Sequence, residues 1–195
     1  GGSINPLYSS HAYRWRISPR YRFNDKISMV YVLSIRNKFN DIGYVDNLVV
    51  NEELSVPLFS IRNTYMITNV LSGSYIINNK IDFSFKFRYH LDQVENIKFQ
   101  ELDNNGYLSA VSVPLTEQAY DINYTTWTSD VALNWWFAPG SQLSIVWKNG
   151  IDNETNILRD RWLDNIEDSF NLAQENSLSL KIVYYLDYLY FKKKI

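Results

Sequence analysis

The chain has 195 residues, 46% hydrophobic and 21% charged, with a formal net charge of -2, which suits one domain and excludes a disordered or collagen-like polypeptide. Zero Cys removes disulfide frameworks, thiolate metal sites and thiol nucleophiles. No stretch approaches the roughly 18 consecutive apolar residues of a transmembrane helix, although transmembrane strands stay open because only every second strand residue faces lipid.

In chain order, Gly1-Gly2-Ser3-Ile4 carries no basic segment followed by an apolar one, so it is not a signal peptide. Residues 1–195 are expected to form a single domain that is the C-terminal fragment of something larger. Over residues 13–23, Tyr13, Trp15, Ile17, Tyr21 and Phe23 share one face, and Arg14, Arg16, Ser18, Arg20 and Arg22 share the other, the period of a strand. After the turn signal Asn24-Asp25 the alternation resumes with Ile27, Met29, Tyr31, Leu33 and Ile35. The unit recurs 54 residues later, where Tyr75-Ile76-Ile77-Asn78-Asn79-Lys80-Ile81 parallels Tyr21-Arg22-Phe23-Asn24-Asp25-Lys26-Ile27. Its outgoing strand alternates Ile81, Phe83, Phe85, Phe87, Tyr89 and Leu91 with Asp82, Ser84, Lys86, Arg88 and His90. A third hairpin turns at Ala138-Pro139-Gly140-Ser141, between Val131 to Phe137 and Leu143 to Trp147, and a last strand is expected over 178–190. The expectation is seven strands.

Residues 37–58, 92–121 and 149–176 read as long loops on the rim opposite the tight turns, the asymmetry of an outer-membrane barrel. In the third, Leu158, Trp162, Ile166 and Phe170 repeat every four residues, so a surface helix over the barrel mouth is expected. These loops hold 17 acids and 4 bases, a sum of -13, while the rest of the chain sums to +11. The fold expected is all-β: an antiparallel up-and-down meander of about seven strands, the C-terminal part of a transmembrane β-barrel.

Alternation by itself leaves a lipid-facing and a soluble-core reading of the apolar face open. The length of the stripes and the rings gathered at the tight-turn rim favour lipid. The lipid-facing aromatics are then Tyr13, Trp15, Phe83, Phe85, Phe87, Trp135, Tyr184 and Tyr188. Facing the lumen are Arg14, Arg16, Arg20, Arg22, Arg36, Arg62, Lys86, Arg88, Lys148 and Lys181, which either pair with carboxylates on strands outside the chain or attract anionic solutes such as acidic oligosaccharides.

Several segments resemble a known family: Ser60-Ile61-Arg62-Asn63 through Asn78-Asn79-Lys80, Phe87-Arg88-Tyr89-His90, Trp136-Phe137-Ala138-Pro139-Gly140-Ser141 through Val146-Trp147-Lys148, and Ser179-Leu180-Lys181 through Leu186-Asp187-Tyr188. They are similar to the C-terminal barrel of Gram-negative outer-membrane proteins of unknown function that carry an N-terminal family-9-type carbohydrate-binding domain. The resemblance implies the last part of a larger barrel, an outer-membrane location, and a transport or surface-binding role linked to carbohydrate handling. The chain departs from most such barrels in that Phe191 is followed by Lys192-Lys193-Lys194-Ile195.

Catalytic patterns are sparse. His11 and His90 lack metal-ligand spacing, and no phosphate loop or nucleophile elbow occurs. Asp103-Asn104-Asn105-Gly106 reads as a turn rather than a calcium loop, because Ser112 stands where a bidentate Glu is needed. Asp160, Asp164, Glu167 and Asp168 read as a solvated helix face rather than paired catalytic carboxylates. No catalytic residue, cofactor or dedicated metal site is therefore expected, and no nucleic-acid partner. The expected partners are outer-membrane lipid, carbohydrate, and divalent cations at the acidic loops. A membrane-associated glycan-acting hydrolase is the second reading, and a soluble lipid- or glycan-binding β-protein the third.

Overall fold

The structure, a computed structural model, describes residues 1–6, 9–51, 54–103, 105–111 and 115–186. The described residues form ten strands: β1 (Gly2–Asn5), β2 (Ser10–Ile17), β3 (Arg20–Arg22), β4 (Ile27–Asn51), β5 (Leu54–Asn78), β6 (Ile81–Leu102), β7 (Leu108–Ala110), β8 (Ile122–Ala138), β9 (Ser141–Thr155) and β10 (Glu175–Val183). A single short helix, α1 (Trp162–Phe170), lies between β9 and β10. All strands belong to one antiparallel sheet in the order β1-β2-β4-β5-β6-β8-β9-β10, with β3 paired to β4 and β7 to β6. The sheet is not closed: β1 and β10 are its two edges. No α-helix among the described residues is long and apolar enough to cross a membrane.

The expected meander is present, with three differences. First, Ser18-Pro19 splits the first strand into β2 and β3, because Pro19 has no N–H to give the ladder. The register along β4 is nevertheless unbroken from Ile17↔Leu33 to Arg20↔Val30, and Pro19 still accepts from Tyr31 N at 3.1 Å. Second, the strands run far into the segments read as long loops, covering most of 37–58 and parts of 92–121 and 149–176. β4 and β5 run 25 residues each, β6 runs 22, and β9 continues to Thr155. Polar residues such as Asn63, Gln93 and Asn123 interrupt the apolar series there, which reads as a loop in sequence, yet the backbone ladder continues through them. Register shifts absorb the irregularity, as at Asn40 (φ 52), whose N–H donates to Asn63 Oδ1 at 3.3 Å between the pairs Lys38↔Thr64 and Asp41↔Arg62. Part of the acidic end is therefore strand: Asp41, Asp92, Glu95, Asp152 and Glu154 all lie in the ladder. Third, α1 begins at Trp162, so Leu158 and Asp160 precede it, and it lies against the apolar face of the sheet rather than over an opening.

Side-chain chemistry sets the tight turns. Asn24 Oδ1 accepts from Lys26 N (2.8 Å) and Ile27 N (2.9 Å), and Asn78 Oδ1 accepts from Lys80 N (2.8 Å), so the 54-residue repeat carries the same self-bonded Asn. The first turn takes three residues rather than the two expected, because β3 ends at Arg22 and Phe23 N bonds to Ile27 O across Asn24-Asp25-Lys26. Pro139-Gly140 closes the third hairpin, with Gly140 at φ 73.

Pairing register divides the side chains into two faces. One row of the apolar face reads Tyr21, Met29, Gly73, Phe85, Val131, Trp147 and Leu178, and the next reads Ile27, Tyr75, Phe83, Leu133, Ile145 and Leu180. Above them lies Tyr31, Leu71, Phe87, Ser129, Asn149 and Asn176, and below them Ile81, Trp135, Leu143 and Ile182. No Asp, Glu, Lys or Arg occurs in these rows. The band ends at the turn rim with Phe137 stacked on Tyr184 at 6.2 Å. From Ser129 to Phe137 it spans about 27 Å along the strand, at roughly 3.4 Å per residue. Toward the other end Ile67, Tyr89 and Leu91 are buried, with Trp162 and Ile166 of α1 packed against them. One row farther the face turns polar, at Asn37, Tyr65, Gln93, Asn123 and Thr155.

Gly106 (φ 83) and Gly140 (φ 73) both need the left-handed region, but a Cβ at Gly106 meets open space whereas one at Gly140 falls 2.9 Å from Tyr185 Cβ. Gly106→Ala should cost about 1 kcal/mol of backbone strain and Gly140→Ala measurably more, read as the shift in denaturant midpoint between the two variants.

Candidate functional site

Ten basic residues share the polar face. Arg14 and Arg16 come from β2, Arg20 and Arg22 from β3, Arg36 from β4, Arg62 from β5, Lys86 and Arg88 from β6, Lys148 from β9 and Lys181 from β10. Register brings only some of them together. Lys86 and Lys148 stand directly opposite Asp130 on its two sides, and Arg88 reaches diagonally to the same carboxylate at 2.8 Å while donating to Thr128 Oγ1 at 3.0 Å. Asp130 thus pairs with Arg88 and stands in register between two lysines, so three cations and one carboxylate gather in the centre of the sheet. Arg14 faces Arg36 across the ladder, a like-charge juxtaposition that is unfavourable without an intervening anion. Arg22 pairs with Asp25 of its own turn at 2.9 Å. Arg16 stands opposite Ser34, Arg20 opposite Val30 and Lys181 opposite Ser144, neutral neighbours in each case.

Beside the Lys86–Asp130 pair the polar face is lined by small residues. Ser28, Ser72, Ser74, Ser84 and Ala132 leave a trough of about 370 Å3, with Lys86 and Asp130 at its margin. Ser28 and Ser74 share a hydroxyl bond at 2.9 Å. These short side chains, with Val30 and Val146 beside them, leave room for water or a small ion next to Lys86 and Asp130.

A second recess of about 430 Å3 lies toward the acidic end, bounded by Tyr44, Arg62, Asn96, Tyr120, Asp121 and Glu154. Asn96 is buried, and Asp121 Oδ1 accepts from its backbone N–H at 2.8 Å and from Nδ2 at 3.3 Å. The Arg62 guanidinium lies across Gly43, where any Cβ would collide with it, and Nη1 donates to Tyr44 O at 3.4 Å. Nearby Asp92, beyond the charge-free band, has its carboxyl raised above the usual range by burial, with His90, Arg62, Arg36 and Lys38 opposing that shift.

The other face carries the aromatics Tyr13, Trp15, Phe83, Phe85, Phe87, Trp135 and Tyr184; Tyr188 lies outside the described residues. Phe83, Phe85 and Phe87 are half-buried by each other, with ring centroids 6.2 and 5.3 Å apart, and the ladder continues through Trp127 at 6.3 Å to Phe170 at 5.2 Å. Trp15 and Tyr184 are 70% and 63% exposed, so the sheet itself does not cover this face.

The other candidate groups are engaged locally. His90 Nδ1 lies 2.9 Å from Thr68 Oγ1, and His11 stacks on Phe39 at 4.8 Å. Asp103 Oδ1 accepts from Asn105 N and Tyr107 N within its own turn; Asn104 and Ser112 lie outside the described residues. Asp168 pairs with Arg159 at 3.1 Å and Asp164 approaches Arg161 at 3.9 Å, so the acidic quartet does not converge. Among the described residues no three His, Asp or Glu side chains are placed to hold a metal ion.

Sequence reasoning missed the amides that organise the upper apolar face. Asn123 Nδ2 donates to Asn165 Oδ1 (2.7 Å) and Ile157 O (2.8 Å), and Gln93 Nε2 donates to Arg159 O (3.1 Å). Their only sequence signal is an amide at a position where the alternation demands an apolar side chain.

Residues 4–195 match the family described as Domain of unknown function (DUF5916), and the chain belongs to that family. No curated protein and no solved structure matches it.

Replacing Asp130 with Asn removes the partner of Arg88 and the one carboxylate in register with Lys86 and Lys148. Since the Arg88–Asp130 side chains are about one-third exposed, the loss should be about 1 kcal/mol at low ionic strength and should shrink as salt is added. Unfolding of wild type and D130N at two salt concentrations checks both the size and the trend.

Proposed function

We propose that this member of the DUF5916 family forms part of the wall of a transmembrane β-barrel in the outer membrane of a Gram-negative bacterium, with its cationic face lining a lumen for anionic solutes. The observation that carries the reading is the segregation of a one-layer sheet: a charge-free, ring-rich band on one face and ten basic side chains on the other. A soluble protein would bury such a band under a second layer, whereas a bilayer covers it directly. At the roughly 40° strand tilt of outer-membrane barrels, about 27 Å along the strand becomes about 21 Å of height, near the typical 25 Å apolar band. The edges β1 and β10 are then places where further strands of a longer chain continue the wall.

The solute class follows from the same face. The excess charge around Asp130 and the hydroxyl-lined trough favour small anions, and the resemblance to barrels joined to carbohydrate-binding domains directs the choice to acidic oligosaccharides. On this wall a transport or surface-binding role in carbohydrate handling is the first reading and hydrolysis the second.

Two substitutions on adjacent residues of β6 separate the faces. In the full-length protein, Phe85→Arg should lower stability in bilayers by about 2–4 kcal/mol, whereas Ser84→Arg should change it little. If the lumen reading holds, a triple Lys86→Glu, Arg88→Glu, Lys148→Glu variant should reverse the anion preference of reconstituted channels. An anion preference unchanged by that reversal would remove the solute assignment.

A further inference from the structure

We infer that α1 is an interfacial helix: it lies at the outer boundary of the membrane on the lipid-facing side of the sheet, with one flank on acyl chains and the other in water. This rests on the membrane reading above and extends it to the element that sets the depth of the protein in the bilayer.

The helix has three sides. At 100° per residue, Asn165, Ser169 and Trp162 point toward the sheet, Ile166, Phe170 and Leu163 form one flank, and Asp164, Glu167 and Asp168 form the other. Its sheet side is held by polar anchors. Asn165 and Ser169 are buried, Asn165 Oδ1 accepts from Asn123 Nδ2 at 2.7 Å, and Tyr89 OH donates to Trp162 O at 3.0 Å. The helix is therefore docked on this face and does not lie free in solvent.

Its orientation about its own axis follows from contacts at the two flanks. Phe170 packs on Trp127 in a tilted pair at 5.2 Å, and Trp127 continues the ring ladder down to Phe87 in the charge-free band. Asp168 pairs with Arg159, whose carbonyl accepts from Gln93 in the first polar row. The apolar flank thus faces the band and the acidic flank faces the polar extension. Leu163 is 49% and Phe170 45% exposed, and Leu172 just beyond the helix is 41% exposed, so the apolar flank still has surface to cover. α1 sits where the face changes from apolar to polar, the position at which an amphipathic helix partitions into an interface. The occupant is the upper acyl-chain region of the bilayer, because the uncovered flank is continuous with the charge-free band below it.

The test uses the full-length protein in lipid vesicles with single-cysteine fluorophores at Leu163, Glu167 and Leu133, since residues 1–195 contain no native Cys. Lipids carrying a quencher near the headgroup should remove more than about half of the Leu163→Cys emission. Lipids quenched at mid-chain should act on Leu133→Cys, and aqueous iodide on Glu167→Cys. If Leu133→Cys is quenched by lipid but Leu163→Cys only by iodide, the helix is not interfacial although the membrane reading stands. Quenching of Leu163→Cys by neither reagent would mean that a protein partner covers the flank, which overturns the inference. If lipid quenches neither Leu133→Cys nor Leu163→Cys, the membrane reading itself fails.

Discussion

A single antiparallel layer with a side-chain period of two is the constraint on which the rest depends. The ladder from β1 to β10 satisfies the interior backbone groups between neighbouring strands, so the sheet needs no second layer for its hydrogen bonds. It does need something to cover its apolar face. α1 covers the end that includes Ile67, Tyr89 and Leu91, and nothing in the described sheet covers the rows that contain Phe85 and Leu133. Lipid satisfies that requirement without additional protein, and the fixed two-residue alternation then commits every cation on the even positions of β6 to the opposite side.

That opposite side is electrostatically unbalanced by arrangement as well as by composition. Asp130 pairs with Arg88 and stands in register between Lys86 and Lys148, and Arg14 faces Arg36. Such a gathering of cations needs water or counter-ions at hand, which the proposed lumen would supply. The small side chains at Ser28, Ser72, Ser74 and Ser84 leave room for them.

Much of this was legible in the sequence because period-two patterning is local. Ile81 to Leu91 announced their strand and its two faces, and Asn24 and Asn78 announced turns that bond to themselves through the same side-chain oxygen. Legibility failed where an amide replaced an apolar residue on the sheet-facing side of a long-range contact. Asn123 and Gln93 look like loop residues in a window of ten, yet they are strand residues whose partners, Asn165 and Arg159, lie 42 and 66 positions away. The same contacts placed α1 on the sheet rather than over an opening, because the four-residue period of Trp162, Ile166 and Phe170 specifies an apolar stripe but not the surface that receives it. The placement of Asp130 between Lys86 and Lys148 was hidden for a different reason: it depends on the register between β6, β8 and β9, which no single strand encodes.

The most direct measurement is a nitroxide scan of residues 81–88 on β6 in the full-length protein in bilayers, comparing collision rates with oxygen, which concentrates in lipid, and with a water-soluble nickel chelate. Odd positions should favour oxygen and even positions the chelate, alternating out of phase through Phe83, Ser84, Phe85 and Lys86. Odd positions shielded from both reagents would mean that protein covers the band, and odd positions open to the chelate would mean that water does; either result contradicts a lipid-facing wall.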